Sequence, residues 1–255
     1  MKNLKIYLLL TGIVLSTAFL SCKKEEPLRV TSALVVANAV AGAPVLLVNL
    51  NDGANPDYFL YSSAKNLKYG LFDNTDGKLN IDKTSQRIRF FGARDTAATS
   101  KPLFDLRFEF PKGSISSLFL AGTASHPDYL FVKDAPPYHN QQDSTFGIRF
   151  TNLSYQSRPV NVYVISDVEQ KAIEGLNYKG ITEYKKYKAL AKTGTYTIEF
   201  RDQQTQQVLA SFKLEEAGKD TENVWRYRNF TLALIGLPGA TSPDERQKTF
   251  LIINY

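Results

Sequence analysis

Short runs of strongly β-forming residues, separated by Gly, Pro, Asn and Asp, recur along this chain and narrow how it can fold. SALVVANAV, PVLLVNL, RIRFFGA, LFDLRFEF, SSLFLAG and DYLFV fall before residue 135; FGIRFTNL, PVNVYVI, TYTIEF, VLASFKL, NFTLALIG and TFLIINY follow it. Many alternate apolar and polar residues, which sets one face of a strand against a core and the other in water. Turn signals separate them at spacings of about 10–20 residues, so the pattern predicts an all-β protein of sandwich type. Only residues 173–191, IEGLNYKGITEYKKYKALA, also read as helix, and their lysines and tyrosines fit an exposed hairpin or irregular loop equally well.

The runs repeat in order. Asn38 and Pro44 in NAVAGAP match Asn152 and Pro159 in NLSYQSRP with one extra residue, and Ile88-Arg89-Phe90 falls on Ile198-Glu199-Phe200. Lys112-Gly113 before SLFLAG matches Gly218-Lys219 before FTLALIG, and Tyr129 to Val132 falls on Phe250 to Ile253. A duplication over residues 31–134 and 146–255 follows, with 135–145 as the linker, stiffened by two prolines and kept in water by polar residues.

The beginning of the chain reads differently. MKNLK carries Lys2 and Lys5, residues 6–20 are mostly apolar, and small Ser21 precedes Cys22, the only cysteine. This is the layout of an export signal over residues 1–21, and the apolar run is short for a helix crossing ~30 Å of hydrocarbon. It resembles a bacterial lipoprotein lipobox, with Phe19 and Leu20 where the pattern prefers Leu and a small residue. That resemblance implies that Cys22 becomes the first mature residue and carries a diacylglyceryl group, with residues 22–30 as a lipidated tether. Each buried methylene contributes ~0.8 kcal/mol, so two or three acyl chains anchor stably. An uncleaved anchor and a cleavage away from the cysteine are the rival readings. Lys24, Glu25 and Glu26 resemble the lysine-plus-acids tag of Bacteroidetes lipoproteins exported to the cell surface, or else form a solvated tether. The expected location is the outer membrane, lipid-anchored and facing outward, with the periplasmic face as the alternative.

With Cys22 consumed, no disulfide or cysteine metal site remains. Loss of Lys2 and Lys5 with the leader takes the formal charge from +6 to +4, without a basic stripe, so nucleic acid is not an expected partner.

SALVVANAVAGAPVLLVNLNDG and IRFTNLSYQSRPVNVYV resemble the opening strand, N-x(5–6)-P turn and second strand of domain-of-unknown-function family 4397, found in secreted and lipid-anchored bacterial proteins. The resemblance implies two tandem immunoglobulin-like β-sandwich domains. It thins toward the end of each half, where the first holds DNTDGKLNIDKTSQ and the second WRYRNF, and it brings no catalytic residues with it.

Signatures of chemistry are sparse. His126 and His139 both lie in turn-like text, and HExxH, GxSxG and GxxxxGK[ST] do not occur. In DNTDGKLNID, aligning Gly77 with the glycine of a calcium loop puts Phe72 and Lys83 at the first and last ligand positions, so a turn is expected. No metal, cofactor or enzymatic activity is expected; a hydrolase with a loop-built site is the distant rival. Thr96 in Asp95-Thr96-Ala97 and Ser144 in Asp143-Ser144-Thr145 resemble acceptor sites of Bacteroidetes O-glycosylation.

Aromatic residues give the binding hints. Tyr155 tips the NLSYQSRP turn, and Trp225-Arg226-Tyr227-Arg228 alternates rings and guanidinium groups on an expected strand face. Rings stack on sugars and Arg pairs bidentately with carboxylates, while the competing reading makes Trp225 a core plug with Arg226 and Arg228 in water. The expected protein is a non-enzymatic adhesion or binding module, joined to a membrane by its lipid and to a glycan or envelope protein by its loops. The alternative is an assembly subunit of an outer-membrane complex that docks through strand edges.

Overall fold

Residues 30–51, 65–93, 95, 99–166, 169–190 and 194–255 are described by a computed structural model, with residue 169 placed in backbone only. Residues 1–21, where an export signal is expected, and Cys22, Lys24, Glu25, Glu26 and Thr96 lie outside the described residues. Strand is nearly the only regular secondary structure among the described residues, and 31–255 make one compact unit.

In the first half, β1 (Ser32–Asn38), β4 (Lys78–Ile81), β7 (Ile115–Gly122) and β8 (Pro127–Lys133) form a sheet in the order β4-β1-β7-β8. The strands β2 (Val45–Asn49), β3 (Lys65–Lys68), β5 (Ser85–Gly92) and β6 (Phe104–Glu109) form another, ordered β3-β2-β5-β6. The second half repeats this layout. Its sheets are β12 (Lys185–Lys188), β9 (Thr145–Asn152), β15 (Asn229–Ile235), β16 (Lys248–Ile253), and β11 (Glu169–Leu176), β10 (Val160–Ile165), β13 (Tyr196–Asp202), β14 (Val208–Leu214). In each half the opening strand runs parallel to its longer neighbour, Val36 beside Leu118 and Phe150 beside Leu232.

Two local features sharpen the sequence reading. The region that competed as helix is strand at β11 and β12. The DNTDG text is a single helical turn, α1 (Asn74–Gly77), capped by Asp73, whose Oδ1 accepts from the Thr75 and Asp76 amides, and it leads straight into β4.

The shared asparagine of the N-x(5–6)-P motif has a clear physical role. Asn38 donates to the Ala43 and Leu67 carbonyls at 2.9 and 3.0 Å and accepts from the Val40 amide, and it is almost fully buried. Asn152 does the same at the matching place, donating to the Leu176 carbonyl and accepting from the Ser154 amide. Each side chain satisfies the backbone where the chain leaves one sheet for the other.

Each half has its own core. Leu34, Val36, Leu46, Ile88, Phe90 and Leu118 fill the first; Phe146, Phe150, Val162, Ile198, Phe200 and Leu232 fill the second. A third cluster joins them, with Val35, Ala37, Phe119 and Ala121 against Leu153, Ala233, Ile235, Phe250 and Ile252. Strands β7, β9 and β15 are therefore dry on both faces, where a period-two reading expects one wet face. At ~1.5–3 kcal/mol per large buried side chain, this junction is a substantial part of the fold.

The pairing also corrects the alignment of the copies by one residue. Asn38 pairs with Leu120 and Asn152 with Leu234, and the next ladders pair Leu120 with Tyr129 and Leu234 with Thr249. Tyr129 therefore matches Thr249, whereas sequence similarity alone sets it on Phe250. A one-residue slip swaps the faces of a strand, and Phe250 belongs to the junction between halves.

The linker is pinned to the body through His139, while Ala135, Tyr138 and residues 140–143 stay exposed to water. His139 is buried, with Nδ1 2.9 Å from Thr145 Oγ1 and Nε2 3.0 Å from Asn229 Oδ1. An amide oxygen only accepts, so Nε2 carries the proton toward Asn229. Asn229 Nδ2 in turn donates to the Pro137 carbonyl.

Candidate functional site

A cleft of about 430 Å³ opens where turns of the two halves meet, lined by Thr123, Ser125, His126, Tyr155, Gln156, Leu237 and Pro238. Its first wall follows from Gly122, which ends β7 at φ 80°; a Cβ there would lie 2.2 Å from the His126 carbonyl oxygen, so only glycine permits the tight Thr123–His126 turn. Thr123 Oγ1 accepts from the His126 amide at 3.0 Å and closes the turn, and His126 Nδ1 lies 3.1 Å from Ser125 Oγ. The second wall is the turn after β9, whose buried Asn152 holds the backbone while Tyr155 projects half-exposed.

Three rings gather here. His126 and Tyr155 lie nearly parallel, at a centroid distance of 6.4 Å and 16° between planes, and Tyr178 meets Tyr155 edge-on at 5.7 Å. Behind them Asp128 accepts from Lys179 Nζ at 2.8 Å, from the Tyr178 hydroxyl at 3.2 Å and from the Tyr129 amide at 2.8 Å. Partial burial pushes the Asp128 carboxyl up, but the Lys179 and Tyr129 hydrogen bonds and the Lys179 charge outweigh it and hold the group below its ordinary range. Burial first, then the Asp128 charge, pushes the Tyr178 phenol well above its ordinary value, so its hydroxyl stays a donor. The arrangement offers flat rings with hydroxyl and amide groups at their rim, braced by an ion pair across the two halves.

Of the sequence candidates, Tyr155 belongs to this cleft and the Trp225–Arg228 group does not. Trp225 lies at the opposite end of β15, tilted by 59° against Phe230 at 5.2 Å and edge-on to Phe212, with its indole N–H donated to the Glu215 carbonyl. The four residues form a bend and turn before β15, not a strand face, and Tyr227 has φ 64°. Arg226 donates to the Ala189 carbonyl at 3.0 Å, Tyr227 Oη to the Gln141 carbonyl at 2.6 Å, and Arg228 lies exposed beside the Val224 carbonyl. Ser144 has φ 42° and its carbonyl accepts from the Ala189 amide. His126 and Leu237 line the cleft and Tyr178 packs behind Tyr155, three residues the sequence does not single out for binding; the turn-like text around His126 is their one trace in it.

Among the described residues, no three His, Cys, Asp or Glu side chains cluster so as to hold a metal ion, and no helix is long and apolar enough to cross a membrane.

No family model matches this chain, and no curated protein matches it. Among solved structures it is similar to the Bacillus anthracis TIE protein at 9% identity and TM-score 0.24, covering 80% of this chain but only 33% of that one. It is also similar to family 41 carbohydrate-binding modules from streptococcal virulence factors, described as recognising alpha-glucan, at 12% identity and TM-score 0.26 over 86% of this chain and 96% of that one. The fimbrial anchor protein Mfa2 from Porphyromonas gingivalis follows at 10% identity and TM-score 0.25, over 88% and 100%. Likenesses this distant carry no argument about what the chain binds.

Proposed function

We propose that this is a non-enzymatic, lipid-anchored binding protein of the cell envelope whose junction cleft takes a glycan. The observation that carries the reading is the set of rings at the cleft: His126 and Tyr155 nearly parallel, Tyr178 at right angles, with Thr123, Ser125 and Gln156 at the rim. Such rings pack on the apolar face of a sugar while hydroxyl and amide groups meet its rim. Acylation at Cys22, export signalled by Lys24-Glu25-Glu26, outer-membrane placement and membership of family 4397 belong to the same proposal and rest on the sequence alone.

The test is binding of native protein and of Tyr155→Ala and His126→Ala variants to a saccharide panel. Loss of binding in both variants, with melting temperature unchanged, supports the reading. Equal binding by Tyr155→Ala sinks it. A second reading, docking onto an envelope protein, draws on the exposed Tyr138, Leu190, Val224 and Tyr227 near Trp225, at the far end from the cleft.

A further inference from the structure

In each half, two edge strands face each other across the open side of the sandwich: β6 and β8 in the first, β14 and β16 in the second. The first opening is sealed by rings. Phe108 lies flat on Phe131 at 4.2 Å and 14°, and Tyr129 packs edge-on against Phe108 at 5.8 Å. The ladders put Ala210, Leu214, Thr249 and Leu251 at the places that Phe104, Phe108, Tyr129 and Phe131 hold in the first half.

Four aromatic positions have thus become smaller side chains, while Phe212 stands where the first half has Leu106, and at Ala210 and Thr249 the second opening is a hollow of about 440 Å³. The sealed copy shows that this space is not a requirement of the fold. Its walls are the edges Gln207–Ser211 and Arg246–Thr249, where strand backbone offers N–H and C=O groups, and Leu237 with Gly239 closes one end. Leu237 also lines the aromatic cleft, so the two hollows lie on either side of one turn, residues 236–240. No Asp or Glu lines either hollow. Arg246 is exposed, and its side chain is in no hydrogen bond or ion pair with the described residues.

Building on the glycan reading above, we propose that the ligand is an acidic polysaccharide whose chain crosses the turn at Leu237, with sugar on the His126 and Tyr155 rings and a uronate carboxylate on Arg246. Guanidinium pairs bidentately with carboxylate, which gives the second hollow a preference for acid that the cleft alone lacks. Each hollow is within the ~300–1,000 Å³ of small-ligand sites, so a single sugar occupies one and a chain occupies both.

The test is calorimetry of the full-length chain in detergent with mono-, tri- and hexa-uronides of galacturonic, glucuronic and mannuronic acid, beside neutral oligosaccharides of the parent hexoses. At least one acidic series gains affinity from monomer to hexamer, on the order of tenfold or more, and outbinds its neutral counterpart. Arg246→Gln, at an exposed position that needs no repacking, removes the preference for acid. Thr249→Tyr, which restores the ring of the sealed copy, removes the gain with length, and its melting temperature reports whether the fold holds. Length-independent binding, equal binding of neutral chains, or an acid preference that survives Arg246→Gln overturns the extended site while leaving the cleft reading standing. Failure of every saccharide to bind overturns both.

Discussion

Arg149 and Asp134 meet at 2.8 Å across the junction of the two halves, with side chains only 3% and 0% exposed. The guanidinium also donates to Thr231 and Ser117 and lies 4.5 Å from the Tyr184 ring, while Ser117 donates to the second Asp134 oxygen at 2.6 Å. Asn254 completes the set, accepting from Thr231 and donating to Ser117. Arg149→Met leaves a buried carboxylate without its partner and should cost ~3–5 kcal/mol, read by denaturant unfolding. An Arg149→Met, Asp134→Leu double variant should recover much of that loss; a double variant as unstable as the single one would show that the charge pair is not the cause.

The matching asparagines provide an internal control. Asn38→Ala and Asn152→Ala each strand several buried backbone groups, at roughly 2–3 kcal/mol apiece. Chemical denaturation should show similar losses at both sites, because the two side chains hold the same strand crossing.

Asp128 gives the cleft a pH dependence of known sign. Its folded carboxyl is held below the ordinary range, so its contribution is present above that range and is lost as pH falls through the folded value. Lys179→Met should flatten this acid-side loss of stability in thermal melts taken at successive pH values. An unchanged profile would exclude the pair as its source.

Burial pushes Tyr69 and Tyr187 each up to about 12, aided for Tyr69 by the Glu245 and Asp244 charges and for Tyr187 by Tyr196. A phenol that ionises later in the fold than in the open chain stabilises fully below ~10 and loses that contribution as pH rises toward the folded value. Ultraviolet titration should therefore show a late-ionising fraction of tyrosines that shrinks by two residues in Tyr69→Phe, Tyr187→Phe protein, while Tyr178 still ionises late.

Trp225, the only tryptophan, serves as a reporter of the far pole. Saccharide bound at the cleft should leave its emission unchanged. Trp225→Ala should cost roughly 2–4 kcal/mol through its contacts with Phe230 and Phe212, without changing saccharide affinity.

The strand runs and their repetition were legible because β-forming residues and turn residues act locally. Burial on both faces of β7 and β15 was not, since Phe119 and Ile235 find their partners in the other half. SSLFLAG and NFTLALIG do read as near-continuous apolar runs, which is the trace such strands leave. The cleft was hidden for the same reason: His126, Tyr155 and Leu237 come from three separate turns. Trp225 misled because alternation suggests a strand, whereas Asn223 Oδ1 accepts from the Trp225 and Arg226 amides and bends the chain there.

The parallel pairing of β1 with β7 gives the molecule a head and a foot. The chain enters β1 beside the start of β7, where the Ala33 amide meets the Ser114 carbonyl, while the cleft opens past the other end of β7. Whatever enters the cleft therefore meets the body at the pole opposite the one where β1 begins.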